Sequence, residues 1–217
     1  MGLRLGDVAP NFKVETTMGE IEFHKWKKDL WAILFSHPED FTPVCTTELG
    51  AVARLKPEWE ARHVKVVGLS CNDLKSHGAW IDDIQNTQGC SVNFPIIADA
   101  DRKVATLYDM LDYQDASNVD RRGMPLTVRS VFIIDTMNRI RLIMTYPAVT
   151  GRNFAEILRC VDSLQLGDRR RVATPEGWKG IEDEVIIHNG VSDEEAGKLF
   201  PGYKKVLPYL RLAKVED

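Results

Sequence analysis

Short continuous runs of apolar residues, each bounded by polar or turn-forming residues, predict several buried strands. Residues 31–36 (WAILFS), 64–70 (VKVVGLS) and 130–135 (SVFIID) are three such runs. A strand that is buried on both faces has no polar side, so the usual alternation disappears. Residues 139–146 (RIRLIMTY) follow the third run after the short connection Thr136-Met137-Asn138. This spacing predicts an antiparallel hairpin.

Segments with apolar residues at helical spacing alternate with these strands. We predict helices at residues 46–62, 73–86, 102–109 and 151–166, and a short strand at 95–98. Pro57 lies inside the first helix and is expected to bend it. Asn72 or Asp73 is the expected N-cap of the second. Strands that alternate with helices and end in an antiparallel pair indicate an α/β fold around a mixed sheet.

A stretch rich in glycine and proline, residues 167–180, interrupts this pattern. Beyond it lie one apolar run at 184–188 and the spacing of a helix capping box from Ser192 to Glu195. We therefore predict a main domain at residues 1–166 and a C-terminal extension at 167–217. The extension has only about 50 residues, which is short for an independent domain. We expect it to pack on the main domain or on a partner subunit.

Composition excludes several classes of protein. The chain has 217 residues, of which 44% are hydrophobic and 28% charged, and its formal net charge is -4. A nucleic-acid-binding protein would show a basic excess, so we expect no nucleic-acid partner. No apolar run reaches the length of a membrane-spanning helix, and the first residues lack the pattern of a targeting peptide. The expected location is the cytoplasm, without membrane insertion.

The chain has four cysteines, Cys45, Cys71, Cys90 and Cys160, and no two of them are close in sequence. Zinc sites and thioredoxin-type disulfide oxidoreductases use close pairs such as C-x-x-C, which are missing here. We therefore expect free thiols, no metal and no bound cofactor. Cys71 and Cys160 lie among apolar residues and are expected in the core, whereas Cys90 lies in a polar loop and is expected at the surface.

Cys45 differs from the others because it follows a buried strand and lies at the start of a helix. The first N–H groups of a helix have no backbone partners, and the helix dipole there favours an anion such as the reactive thiolate. Thr42 precedes Cys45 by three residues, so its hydroxyl can approach the sulfur or a small ligand. Pro38 and Pro43 stiffen the loop, and Pro38 can shield the sulfur from water. A buried, unreactive cysteine is the alternative interpretation.

A cation is expected to complete such a site by stabilising the thiolate and the charge that develops on a leaving oxygen. Arg129 is one candidate, because it stands at the entry to the 130–135 strand. Arg152 is a second, because it stands near the start of the 151–166 helix. Either could be an ordinary surface charge instead.

The motif Pro38-x-x-x-Thr42-x-x-Cys45 resembles the active-site signature of the peroxiredoxins. The longer segment SHPEDFTPVCTTELG is similar to the one-cysteine group, of the peroxiredoxin 6 type. The resemblance continues in LGDVAPNF, MPLTVRSVFIID, YPAVTGRNFAEILR and RVATPEGWK and so covers nearly the whole chain. It implies a thioredoxin-like fold, with a mixed central sheet flanked by helices and a small C-terminal extension.

The resemblance also implies a chemistry. A Cys45 thiolate would reduce hydrogen peroxide or an organic hydroperoxide and become a sulfenic acid, which serves antioxidant defence and redox homeostasis. Thr42, Pro38 and Arg129 would complete the pocket of Cys45.

Three further residues match supporting positions of the family. Arg152 corresponds to a second arginine, Glu48 to a glutamate that orients the arginines, and His37 to the histidine that accompanies the cysteine. Each also has an ordinary structural interpretation, for Glu48 a favourable carboxylate near a helix N-terminus.

Two-cysteine relatives resolve the sulfenic acid with a second cysteine, but the matching segment here, residues 171–178, contains none. The resemblance therefore implies an external reductant, either a small thiol such as glutathione or a thiol protein. It also implies a homodimer. The strand at 139–146, with alternating Ile140, Leu142 and Met144, could pair edge to edge with its copy.

Two alternative functions use or replace this site. A redox sensor or a chaperone-like protein would need the same Cys45. A phospholipase activity occurs in relatives with a Gly-Asp-Ser-Trp-Gly segment, whereas residues 28–32 here place Leu30 where the serine would be. Leucine cannot act as a nucleophile, and His24 alone does not replace it, so we predict no such activity.

Overall fold

A mixed seven-stranded sheet is the centre of the first part of the chain. The computed structural model describes residues 2–215. The strands of this sheet are β1 (Lys13–Thr16), β2 (Gly19–Glu22), β3 (Trp31–Ser36), β4 (Val64–Ser70), β5 (Ile96–Ala98), β6 (Arg129–Ile134) and β7 (Ile140–Tyr146). Their order is β2-β1-β5-β4-β3-β6-β7. β3, β4 and β5 are parallel, and the outer strands pair antiparallel. The predicted fold class is therefore confirmed.

The helices α1 (Phe23–Lys27), α2 (Pro43–Arg54), α3 (Lys56–Ala61), α4 (Leu74–Gln88) and α5 (Lys103–Leu107) connect these strands. β3 and β6 are buried along their whole length, as their apolar runs predicted. The prediction of one bent helix at 46–62 was wrong. The chain forms two helices there, because Pro57 lies in the first turn of α3, where the missing proline N–H leaves no hydrogen bond unmade. Asp73 is the N-cap of α4 and accepts a hydrogen bond from Ser76 N at 2.8 Å.

The first compact unit ends at Phe154, and the second begins at Ala155. The second contains nearly all of α6 (Phe154–Arg169), followed by β8 (Val172–Ala173), β9 (Val185–Ile187), α7 (Asp193–Leu199), β10 (Lys204–Leu207) and β11 (Leu210–Ala213). The predicted boundary lay at residue 166, so the helix groups with the C-terminal segment rather than with the large sheet. The expected packing of the extension on the main domain or on a partner subunit stays a prediction.

The second unit forms its own small sheet, with strand order β10-β11-β9-β8. Val185 and Ile187 of β9 are fully buried in its apolar core. Ser192 caps α7 by accepting from Glu195 N at 3.2 Å, which confirms half of the predicted capping box. No helix among residues 2–215 is long and apolar enough to span a membrane.

Candidate active site

Cys45 lies in the first turn of α2, where the chain returns after the end of β3. Thr42 is the N-cap, so Cys45 is the third residue of the helix, and its side chain is fully buried. Phe41, just before the cap, has a φ of 56°, an uncommon conformation for a residue with a side chain. This conformation turns the chain sharply into α2. The thiol consequently lies in the first helical turn, where backbone N–H groups lack helical partners and an anion is favoured.

Arg129, the first residue of β6, provides a hydrogen-bond donor to this thiol. Its Nη1 lies 3.2 Å from Cys45 Sγ and 2.8 Å from Glu48 Oε2. Its Nε and Nη2 donate to the carbonyl oxygen of Ala148, at 2.8 and 2.6 Å. The guanidinium is thereby fixed on three sides, with Nη1 held toward the sulfur. A charged donor in this position stabilises the thiolate more than the thiol.

Glu48 holds both arginines from the same face of α2, one turn after Cys45. Its Oε1 accepts from Arg152 N and Nε, at 2.7 and 3.0 Å, and its Oε2 accepts from Arg152 Nη2 at 2.7 Å as well as from Arg129. Burial by itself raises the pKa of Glu48, but the hydrogen bonds and charge of Arg152, followed by the charge of Arg129, hold it below the ordinary value. Glu48 is therefore a buried carboxylate.

Arg152 ties this cluster to the ends of two central strands. Its Nη1 donates to the carbonyl oxygens of Ser36 and Ser130, at 2.8 and 3.0 Å. The guanidinium also lies over the ring of Phe35, 5.2 Å from its centroid. Two guanidinium groups and one carboxylate leave one positive charge without a counterpart in this cluster. A thiolate on Cys45 would balance this positive charge.

The structure places the two remaining pocket residues near this turn without bonding them to the sulfur. Pro38 is buried. Thr42 is half-buried, and its hydroxyl donates to Glu39 O at 2.8 Å, while no hydrogen bond among residues 2–215 joins it to Cys45. Its oxygen can still accept a hydrogen bond. Thr42 and Phe41 line an open cavity of about 770 Å³, which gives small molecules a route to this loop.

His37 is fully buried and belongs to a hydrogen-bonded group that the sequence did not reveal. Its Nε2 lies 2.9 Å from Asp40 Oδ1, and Asp40 Oδ2 lies 2.8 Å from His77 Nδ1 and accepts from Ser76 Oγ at 2.7 Å. Within the described part of the chain His37 Nδ1 has no partner. Burial lowers the pKa of His37, although Asp40 opposes this. Burial by itself raises the pKa of Asp40. The hydrogen bonds from His37 and His77 outweigh this effect, so the pKa of Asp40 lies below its ordinary value.

The ligand atoms of His37, Asp40 and His77 lie within 4.8 Å of one another, close enough to share a metal ion. Each ring is instead bonded to a different carboxylate oxygen, and His77 Nε2 lies 3.1 Å from Ile97 O. This arrangement fits a proton-sharing network better than a metal site. Asp40 falls inside the recognisable motif, but His77 lies on α4 and carries no sequence signal.

The other three cysteines are free thiols in less favourable surroundings. Burial raises the pKa of the half-buried Cys71 to about 12. Burial and a hydrogen bond to Glu156 raise the pKa of the buried Cys160 to about 11. Cys90 is half-buried rather than exposed, and burial raises its pKa too. A raised pKa reduces the thiolate fraction, so these thiols are poor nucleophiles.

The segment considered for lipid hydrolysis offers no nucleophile in the structure. Leu30 is half-buried in the turn before β3. His24 Nε2 lies 2.8 Å from the carbonyl oxygen of Ala9, which occupies that nitrogen. The absence of phospholipase activity stays a prediction.

Comparison with known proteins places this geometry in context. The AhpC/TSA family model matches residues 5–143, and the C-terminal domain of 1-Cys peroxiredoxin matches residues 163–202. The mitochondrial peroxiredoxin PRX1 of Saccharomyces cerevisiae is 50% identical over 213 residues, which are 98% of this chain and 81% of the relative.

Two solved structures are similar over almost the whole chain. A mutant of the peroxiredoxin 6 of Arenicola marina has a TM-score of 0.94 and 43% identity, with 100% of both chains covered. A yeast mitochondrial 1-Cys peroxiredoxin, studied for thiol resolution via glutathione/thioredoxin systems, has a TM-score of 0.88 and 47% identity, with 98% of this chain and 100% of that chain covered.

Proposed function

The chain belongs to the peroxiredoxins, in their one-cysteine group, and from this premise we propose that Cys45 is the thiol that attacks the hydroperoxide. Membership makes the protein a thiol-dependent peroxidase that an external thiol regenerates. The observation that carries the assignment to Cys45 is the 3.2 Å contact between its Sγ and Nη1 of Arg129. Cys71, Cys90 and Cys160 all have raised pKa values, and the Arg159 Nη2 beside Cys160 Sγ lies farther away, at 3.7 Å.

The proposed reaction uses the parts of the site in order. The Cys45 thiolate attacks the terminal oxygen of the hydroperoxide, an S–O bond forms, and the O–O bond breaks. Sulfur loses two electrons and becomes a sulfenic acid, while the leaving oxygen takes up a proton as water or an alcohol. Arg129 stabilises the thiolate and then the negative charge on the departing oxygen, and Glu48 keeps Arg129 and Arg152 in position. Thr42 can accept a hydrogen bond from the peroxide.

We propose glutathione, or another small thiol, as the reductant. The first thiol condenses with the sulfenic acid to give a mixed disulfide and water. A second thiol then releases the Cys45 thiol and carries away the disulfide. The yeast relative, whose structure concerns glutathione/thioredoxin systems, supports this choice. Residues 171–178, which contain no cysteine, support it too, because no resolving thiol is available there.

Stopped-flow oxidation of the reduced protein by hydrogen peroxide tests the assignment. We expect Cys45→Ser to abolish rapid oxidation, and Cys71→Ser and Cys160→Ser to retain the wild-type rate. Rapid oxidation of the Cys45 variant would contradict the proposal. Multiple turnovers with glutathione would support a scavenging enzyme, whereas oxidation that stalls after one turnover would favour the redox-sensor or chaperone-like alternative.

We propose that the protein forms a homodimer through β7, an edge strand of the large sheet. The N-terminal segment hydrogen-bonds to Ile140 through Gly6 N and Asp7 O, at 2.8 and 2.9 Å. Residues 142–146 have no second strand partner among residues 2–215 and could pair with a copy of themselves. Sedimentation at micromolar concentration distinguishes a dimer from a monomer.

We also propose a cytoplasmic location. Four free thiols are typical of a reducing compartment. One relative is mitochondrial, so subcellular fractionation has to decide between these two reducing environments.

A further inference from the structure

A second cavity lies at the opposite end of the parallel strands from Cys45. Leu30 precedes β3, Val64 begins β4 and Pro95 precedes β5, and all three line it. Cys45 instead follows the other end of β3, a strand of about 20 Å. The volume of this cavity is about 400 Å³, within the range of sites for small organic ligands. It is thus separate from the peroxidase site.

The lining of this cavity, here called the basal cavity, is mainly apolar and rich in aromatic side chains. Trp26 and Leu30 are half-buried, whereas Trp59, Phe94 and Val66 are 4–6% exposed, so each of these three contributes a small area to the wall. Flat aromatic surfaces favour flat ligands, because stacked and edge-on ring pairs are more stable than their buried area alone predicts. Leu30 offers no nucleophile, so a ligand here would be bound rather than cleaved.

One cation at the basal cavity has no carboxylate partner. Lys65 Nζ donates to the carbonyl oxygen of Trp26 at 2.5 Å and lies 4.9 Å from the centroid of the Trp26 ring. Throughout residues 2–215, no carboxylate lies within ion-pair distance of this ammonium. Burial, with a further contribution from the charge of Lys28, lowers the pKa of Lys65. A bound anion would provide the missing counter-charge.

The other charged groups at the rim leave the charge of Lys65 uncompensated. Lys56 lines the cavity together with a single acidic residue, Glu60. Glu60 lies 3.6 Å from Lys56, so its charge is already balanced within the rim. The net charge that faces the cavity is positive.

We propose that the basal cavity binds a planar aromatic molecule with a single negative charge, its rings against Trp26, Trp59 and Phe94 and its anionic group on Lys65. This binding function is additional to the peroxidase reaction and does not use Cys45.

Two fluorescent probes of nearly the same shape test both parts of the proposal. The anilinonaphthalene sulfonate ANS carries one negative charge, and N-phenyl-1-naphthylamine is its uncharged counterpart. With the full-length protein we expect saturable binding of one ANS per chain, with energy transfer from tryptophan. Lys65→Met should weaken ANS binding by about tenfold and change the binding of the neutral probe less than about twofold. Lys25→Met, at an exposed lysine that is paired with Glu22, is the matched control and should change neither.

A second variant fixes the location of the bound probe. Leu30→Trp replaces an aliphatic side chain of the basal cavity with a bulky indole and should abolish binding of both probes. The rate of Cys45 oxidation should stay at the wild-type value, which would show that the fold is intact. Unchanged ANS affinity in either the Lys65 or the Leu30 variant would overturn the proposal. So would displacement of ANS by decanoate but not by naphthalene-2-sulfonate, because the cavity would then select an aliphatic chain.

Discussion

Replacement of Arg129 by lysine separates the charge of this residue from its geometry. The guanidinium uses three nitrogens at once, with Nη1 on Cys45 and Glu48 and with Nε and Nη2 on Ala148. A lysine has a single nitrogen and cannot occupy these positions together. We expect its ammonium to remain with the Glu48 carboxylate, where the charge attraction is strongest, and to lose the contact with the sulfur.

The size of the effect follows from the bond that is lost. A hydrogen bond to a charged group contributes about 2 kcal/mol, and each 1.4 kcal/mol corresponds to about a tenfold change in rate. Arg129→Lys should therefore slow the oxidation of Cys45 by hydrogen peroxide by about 30-fold. Arg129→Met should slow it further, because the positive charge is lost too.

Stopped-flow tryptophan fluorescence, with peroxide in excess, measures this second-order rate constant. Arg141→Lys is a suitable control, since Arg141 lies on β7 near Asp135 and the ring of Trp31, and it should leave the rate unchanged. If the Arg129→Lys protein reacts within threefold of the wild-type rate while its melting temperature is also unchanged, the directed donor is not what activates Cys45.

Three further predictions concern stability and assembly. Glu48→Gln should lower the free energy of unfolding by about 3–5 kcal/mol in a urea titration, because it leaves two buried guanidinium groups without their carboxylate, and a change below about 1 kcal/mol would contradict this account of the cluster. Stability should fall with acidification. His37 has a lowered pKa in the folded protein and contributes to this loss below pH 6.5. Glu48 and Asp40 also have lowered pKa values, and they contribute as the pH falls below their ordinary values of 4.5 and 3.8. His37→Asn should remove the part of the pH dependence that lies nearest pH 6.5 in unfolding titrations. Met144→Asp should place like charges on facing edges of β7 and yield monomers by sedimentation without loss of the fold, whereas a dimer that persists would place the interface elsewhere.

Local sequence patterns were sufficient for the elements that surround the site. The runs at 31–36 and 64–70 coincide with β3 and β4, because a strand that is buried on both faces must be apolar throughout. Of the two residues expected as the N-cap of α4, Asn72 and Asp73, the structure has Asp73, and this position could be narrowed to two residues because the capping interaction involves only neighbouring residues. β1 and β2 were missed. Each has only four residues, of which two are exposed and one is buried, so neither carries a periodic apolar signal.

The site itself divides in the same way. The sequence alone placed Cys45 at a helix start after a buried strand and offered Arg129 and Arg152 as candidate cations, and the family resemblance added Glu48. Only the tertiary structure decided that Nη1 of Arg129 reaches the sulfur across 84 positions of chain, and that Arg152 reaches Glu48 across 104. These contacts depend on the register between β3 and β6, which long-range pairing determines. The contact between Asp40 and His77 could not be predicted for the same reason. These residues are 37 positions apart in sequence and meet because α4 packs on α2 beside the central sheet.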